Sequence, residues 1–354
     1  MEEQTRLMDV EENEIDDPLL SVKQQVSKLA RQSYPQDWIA YNQAATREKV
    51  ISEKMLLELL DYFPHKELKL RGRPGIPLKE RVYAMFLYSY CGYSSRRTIS
   101  DLIQAKNRGV ISNVPHFNTL LNYFSYQSVT PLLVKLVIMT SLPLKSIEVD
   151  FAVDSSGFST LRFERWFNVR TQKVEKKRQW KKAHLMVGTR TNVITSIEIT
   201  DGTSADSPEL MPLVKNTDKY FDMKEISADK AYLSRENLQG IAELGAVPYI
   251  PFKSNSNGRS KGSGIWRQMF YYFSKNRERF DMSYHKRSNV ETTFHMIKRK
   301  FGNNLKTKKD LSQINEILMK CVCHNLAVLV QESFELGLDI NLNSCAKEVL
   351  AQKE

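Results

Sequence analysis

The sequence has no run of about 18 apolar residues without a charge, the length a membrane-spanning helix needs. Its longest apolar stretch, Leu132–Met139, is interrupted by Lys135, so no membrane span is expected. Cysteine is scarce: Cys91, Cys321, Cys323 and Cys345 are the only four in 354 residues. Four is too few for a disulfide framework and fits a reducing cytoplasm. The first residues are acidic and hold no apolar segment, so no signal peptide is expected. No internal repeat is visible. Acid is also scarce beyond the start of the chain. Residues 1–18 hold eight acids and one base, whereas residues 19–354 hold 51 Lys or Arg against 33 Asp or Glu. A body with a net charge of +18 points to a polyanionic partner. Nucleic acid is the simplest such partner, and an anionic membrane surface is the competitor.

What remains is the balance of a soluble globular chain, with 41% hydrophobic and 26% charged residues. The length suggests two or three domains. Residues 1–20 read as an acidic disordered tail. Residues 21–142 read as helical, with helices at Trp38–Lys54, Met55–Phe63, Leu78–Tyr90, Ser95–Lys106 and Phe117–Ser125. Short helices with tight turns resemble a helix-turn-helix DNA-binding region. Arg71-Gly72-Arg73-Pro74 has the core of a minor-groove AT-hook, but four residues are a short match and a rigid linker is the favoured reading, with both able to hold. From about residue 143 the pattern turns to strands. Ile147–Asp154, Ala183–Thr189, Val193–Thr200, Glu225–Ala228 and Val247–Pro251 are strand candidates. Helices are expected from Ser207, over Ser234–Leu244, over Tyr284–Phe301 and over Leu311–Gln331. This order predicts an α/β domain over 143–335, a mixed sheet flanked by helices, with a tail at 336–354.

Three carboxylates stand where chemistry is placed in such sheets. Asp154 is expected to end the first strand and Asp229 the fourth, while Glu291 lies within a long helix. Three acids can hold two Mg²⁺ ions through oxygen, the arrangement used for phosphoryl transfer. Each Asp taken alone reads most simply as a turn or cap residue. On the helix, Tyr284, Arg287, Glu291 and Lys298 fall within about 60° of arc, beside an apolar face of Val290, Phe294, Ile297 and Phe301. A solvated flank of i,i+4 ion pairs is the competing reading of that stripe.

The spacing Tyr284-x2-Arg287-x3-Glu291-x6-Lys298 resembles the Tyr-Arg-Glu-Lys signature of DDE transposases from bacterial and archaeal insertion sequences. The contexts VDSSGF at Asp154, SADKAY at Asp229 and CHNLAVL in the last long helix agree with it. The resemblance covers roughly residues 146–330. It implies a ribonuclease H-like fold and a cut-and-join reaction at transposon terminal inverted repeats and target DNA. Asp154, Asp229 and Glu291 would hold two Mg²⁺ ions, with Mn²⁺ as a substitute. Arg287, Lys298 and Tyr284 would contact DNA phosphates. A homodimer in the synaptic complex and a nucleoid-associated, cytoplasmic location follow by analogy. The alternatives are a ribonuclease H-like nuclease without strand transfer and a non-catalytic DNA-binding descendant.

Other residues receive lesser roles. Trp266 either stacks on a flipped base at the cleaved end, as an aromatic from this region does in relatives, or packs. Asp150 reads as a supporting group on the same strand face as Asp154. Asp206 reads as a helix cap. Cys321, Cys323 and His324 diverge around one helix and read as core. His184 and His295 read as structural, with a supporting role open to each. Two basic stretches bracket the acids. Arg162–Lys182 has nine bases against two acids, and Lys253–Lys309 has fifteen against three.

Overall fold

The computed structural model describes residues 37–63, 75–160 and 180–352. Arg71, Arg73, the acidic residues 1–20 and most of the Arg162–Lys182 stretch lie outside the described residues. Helix α1 spans Trp38–Leu60. The Asp37 carboxylate caps it, accepting from the Ile39 and Ala40 amides at 3.0 Å. No Gly or Pro interrupts α1, so the two helices expected at 38–63 are one. Helices α2 (Leu78–Cys91), α3 (Ser95–Asn107), α4 (Phe117–Tyr123) and α5 (Val129–Ser141) follow. Gly92 ends α2 in the left-handed region, at φ 66°.

Five strands come next: β1 (Asp150–Ser159), β2 (Trp180–Gly188), β3 (Ile194–Asp201), β4 (Glu225–Ala228) and β5 (Val247–Tyr249). They form one sheet in the order β3-β2-β1-β4-β5. The first three are antiparallel, and β4 and β5 run parallel to β1. The strand order is that of a ribonuclease H-like sheet, in agreement with the sequence reading. Strand β1 is longer than its local composition suggests. Ser155-Ser156-Gly157 reads as a turn, yet β2 pairs with β1 all the way to Ser159↔Trp180. At Gly157 a Cβ would approach the Trp180 ring to 3.0 Å, so the absent side chain lets the indole lie across the strand.

Seven helices complete the described chain: α6 (Leu210–Asp218), α7 (Arg235–Glu243), α8 (Gly264–Lys275), α9 (Arg277–Tyr284), α10 (Ser288–Phe301), α11 (Asp310–Glu335) and α12 (Leu342–Ala351). Helix α12 lies where a tail is expected. Leu342, Cys345, Ala346 and Val349 share one buried face at helical spacing, and that face binds the segment to the core. Helix α6 packs against β3, where the Ser196 hydroxyl donates to the Leu213 carbonyl at 2.8 Å. Helix α10 packs on β1 and β2.

Helix α11 is the axis of the molecule. Among the described residues it alone is long and apolar enough to cross a membrane, but most of it is buried inside the protein. Helices α1, α2 and α5 pack on it, as does β3. The Asn325 side chain joins three elements. It accepts from the Ile194 amide at 2.9 Å and donates to the carbonyls of Ile194 at 2.8 Å and Val137 at 3.1 Å. Cys321 and Cys323 are fully buried free thiols in this helix, as packing predicts. The buried His324 places Nε2 2.9 Å from the Asn192 carbonyl at the β2–β3 turn. One hydrophobic core runs continuously from Leu56 to Val349, through the N-terminal helices and the sheet.

Candidate active site

The parallel pairing of β1 with β4 stops at Val153↔Ala228. The next residues are Asp154 and Asp229, so both acids leave the paired segment at the same level. Asp154 is therefore mid-strand in β1 rather than at its end; the strand that ends there is β4. This is the carboxyl edge of parallel strands, where α/β sheets hold their sites. The Asp229 carboxylate accepts from the Ala231 amide at 2.9 Å and starts a single 3₁₀ turn, Lys230–Tyr232.

The third element arrives from across the sheet. Helices α9 and α10 are joined by a 3₁₀ turn at His285–Arg287, so the helix expected over Tyr284–Phe301 is broken at its start. The turn is pinned by Lys286. Its ammonium donates to Asp150 and to Glu225, both at 2.7 Å, bridging the first residues of β1 and β4. Asp150 thus supports the site through an ion pair, and Glu225 and Lys286 join it. Neither Glu225 nor Lys286 was legible in sequence, because both read as ordinary surface charges.

Arg287 follows directly. Its guanidinium donates to Asp154 Oδ2 at 2.6 Å and to Glu291 Oε1 at 2.5 Å. The i,i+4 pair of the competing reading does form, and the same side chain also reaches the strand. Burial raises the Asp154 pKa above the ordinary range. The Ser155 amide and Arg287 oppose that rise, and the nearby charges of Asp229 and Glu291 add to it. Burial works against the charge of Arg287, but Tyr284, Asp154 and Glu291 more than restore it, so its pKa is raised. Lys298, on α10, donates to the Ser156 hydroxyl at 2.6 Å and lies 5.3 Å from the Phe158 ring centroid. Burial lowers its pKa. Tyr284 lies 5.8 Å from the Arg287 guanidinium, ring centroid to Cζ, and burial raises its pKa.

Residues 145–326, just over half of the chain, match the family described as the transposase DDE domain. The chain belongs to the DDE transposase family. No solved structure matches it. With the family shown, the three acids of the transposase domain can be tested as a metal centre. Their donors are all carboxylate oxygens, the ligands hard divalent cations prefer. The charges of Asp229 and Glu291 both act on Asp154, and a positive charge beside Asp154 relieves that repulsion. Arg287 provides that positive charge here, and among the described residues no three acidic, His or Cys side chains are already gathered around an ion-sized space. The donor chemistry suits a hard divalent cation, but with Arg287 paired to Asp154 and Glu291 the three side chains are not gathered as a metal site among the described residues.

Of the two readings of Trp266, packing holds, and the reading of Asp206 as a helix cap is corrected. Trp266 is buried in the transposase domain, 6% exposed, and its indole N–H donates to the Asn257 carbonyl at 2.8 Å. Phe252 packs edge-on to it at 4.9 Å and the Arg235 guanidinium covers it at 4.2 Å. Those contacts leave no face for a base, so Trp266 is a packing residue. Asp206 makes no cap hydrogen bond. It accepts from the Ser155 hydroxyl at 3.1 Å and pairs with Lys182 at 2.5 Å.

Asp206 belongs to a polar cluster behind the acids that sequence reading missed. His184 is fully buried, with Nδ1 3.1 Å from the Tyr232 hydroxyl and Nε2 3.0 Å from the Thr200 hydroxyl. Burial lowers its pKa to about 4, so it is neutral at physiological pH. Ser155 follows Asp154, and Tyr232 lies in the turn begun by Asp229. The cluster therefore braces both aspartates from the far face of the sheet. The signal was present in sequence as SADKAY and the lone His of β2, but only the fold brings them together.

Proposed function

We propose that this transposase cuts DNA at transposon ends and joins the freed 3′ ends to target DNA, in a reaction that depends on two divalent metal ions, Mg²⁺ or Mn²⁺. The observation that supports the reading is the pairing of Asp154 and Glu291 with one guanidinium at the carboxyl edge of the sheet, where Asp229 leaves the parallel pairing at the same level as Asp154. Bound there, the ions would supply charge stabilisation for the attacking and leaving oxygens of an in-line displacement. The chain's own groups do the rest. The three carboxylates would hold the ions. Arg287, released from them, would neutralise a backbone phosphate near the reacting bond. Lys298 has no carboxylate partner among the described residues and offers its charge to a second phosphate. Tyr284 would hydrogen-bond a phosphate at the terminal nucleotide. Bringing two transposon ends together calls for a homodimer in the DNA complex, in a cytoplasmic, nucleoid-associated setting.

Strand transfer on a labelled DNA carrying the element's own terminal inverted repeats tests this directly. Wild type should cleave and join in Mg²⁺. Glu291→Gln should bind the same DNA with unchanged affinity and lose cleavage by at least a hundredfold. Normal cleavage by Glu291→Gln would remove Glu291 from the metal-binding set. Cleavage without joining by the wild type would make the protein a nuclease.

A further inference from the structure

From residue 244 through residue 277 the chain holds six Lys or Arg and no Asp or Glu. The fold gathers half of these bases into one place. Arg259, Lys261 and Arg267 line an open cavity of about 460 Å³ together with Gly258, Ser260 and Tyr271. All three cations are exposed, and none has an ion-pair partner among the described residues. Their charges are therefore uncompensated, whereas Lys286 and Arg287 are each shared between two carboxylates. The loop that carries them is set by local chemistry. Lys261 at φ 44° and Gly262 at φ 93° make two successive left-handed residues, which turn the chain back toward α8. At Gly258 a Cβ would come within 2.9 Å of the Phe270 ring, so only glycine lets the loop close over it. Tyr271 forms one wall and is 44% exposed.

The cavity is on the edge of the sheet that carries the acids. Strands β4 and β5 are parallel, so the segments leaving Asp229 and Tyr249 start from the same edge. Arg235 ties the two together, with its guanidinium donating to the Arg259 carbonyl at 3.3 Å. Asp229 and Arg235 are close in sequence, and such a span reaches at most about 20 Å. That is comparable to the width of one DNA duplex.

We infer that this cavity is a second DNA-binding site, which holds backbone phosphates of a strand whose reacting bond lies at Asp154, Asp229 and Glu291. The inference rests on the transposase reading and adds a position at which the substrate is gripped. Three uncompensated cations with a hydroxyl and an exposed ring suit phosphodiester groups, and the open form of the cavity suits a chain that passes through it. The grip is expected to be largely sequence-independent, because the attraction of three cations for the backbone does not depend on the bases.

The test is the salt dependence of DNA binding by the full chain. Arg259→Ala/Lys261→Ala/Arg267→Ala is compared with Lys215→Ala/Lys219→Ala/Lys224→Ala, a control that removes the same charge from positions on and after α6. Each duplex phosphate that is no longer neutralised should lower the log–log salt slope by about 0.9, which is roughly fivefold in affinity at 0.15 M salt. The pocket variant should release about two phosphates and bind some 30-fold more weakly. The control should weaken less than threefold, with thermal midpoints unchanged in both. Equal weakening in the two variants, or none in the pocket variant, overturns the site while wild-type cleavage leaves the transposase reading intact. ATP binding at the cavity as tight as DNA binding would assign it to free nucleotides and also overturn it. A wild type that neither binds nor cuts DNA overturns both readings.

Discussion

Replacing Arg287 by alanine should tighten divalent-metal binding while it weakens catalysis. The guanidinium bonds to Asp154 and Glu291 at 2.6 and 2.5 Å, so it shares both carboxylates with any ion they hold. Charges of +1 and +2 about 5 Å apart repel by about 1.7 kcal/mol even when screened as in bulk water. That lower limit corresponds to somewhat more than tenfold in affinity. Isothermal titration of Mn²⁺ into DNA-free protein at low ionic strength reads it directly. Arg287→Ala should bind at least tenfold tighter than wild type. Arg287→Lys, which keeps the charge on a shorter side chain without the planar fork of the guanidinium, should fall between them. Cleavage should nonetheless drop in both variants, because the guanidinium no longer meets the phosphate. If Arg287→Ala binds Mn²⁺ more weakly than wild type, the guanidinium orders the carboxylates rather than competing for them, and the reasoning fails.

Other expectations concern the scaffold. Burial, with Glu335 and Glu148 nearby, raises the Glu332 pKa to about 7. A carboxyl raised in the folded state adds stability below its unfolded pKa, near 4.5, and that stability is lost as pH rises through about 7. Glu332→Gln should therefore be more stable than wild type at pH 8, by about 1–3 kcal/mol after allowance for partial exposure, with the gap closing by about pH 4.5. Denaturant melts across that range check the sign. Gly188→Ala should be strongly destabilising. Its Cβ would overlap the Glu148 carboxyl carbon, and Glu148 accepts from the Arg190 and Thr191 amides and the Thr191 hydroxyl. Displacing that buried carboxylate should cost about 3 kcal/mol or more in equilibrium unfolding.

The three acids stood out as candidates because context and spacing marked them. Asp154 and Asp229 have distinctive neighbours, and Glu291 has a helical stripe with Arg287 and Lys298. The succession of strands and helices along the chain was equally readable from alternation and turn residues. What escaped was set by partners distant in sequence. Ser155-Ser156-Gly157 looks like a turn until β2 pairs beside it. Nothing local marks His285–Arg287 as a 3₁₀ turn, since Lys286 fixes it through Asp150 and Glu225, 136 and 61 positions away. Asp206 precedes Ser207-Pro208, a strong helix start, and that local signal hid its contact with Ser155. Trp266 looked available for stacking because no sequence pattern announces that Phe252 and Arg235 enclose it.

The packing around α11 bears on how such a protein can be remodelled in evolution. The family match begins at residue 145 and ends at residue 326, yet α11 buries one side against β3 and another against α1, α2 and α5. The helices upstream of the sheet supply a wall of the same core that supports the acids. Any other domain put in their place would have to cover α11 as well.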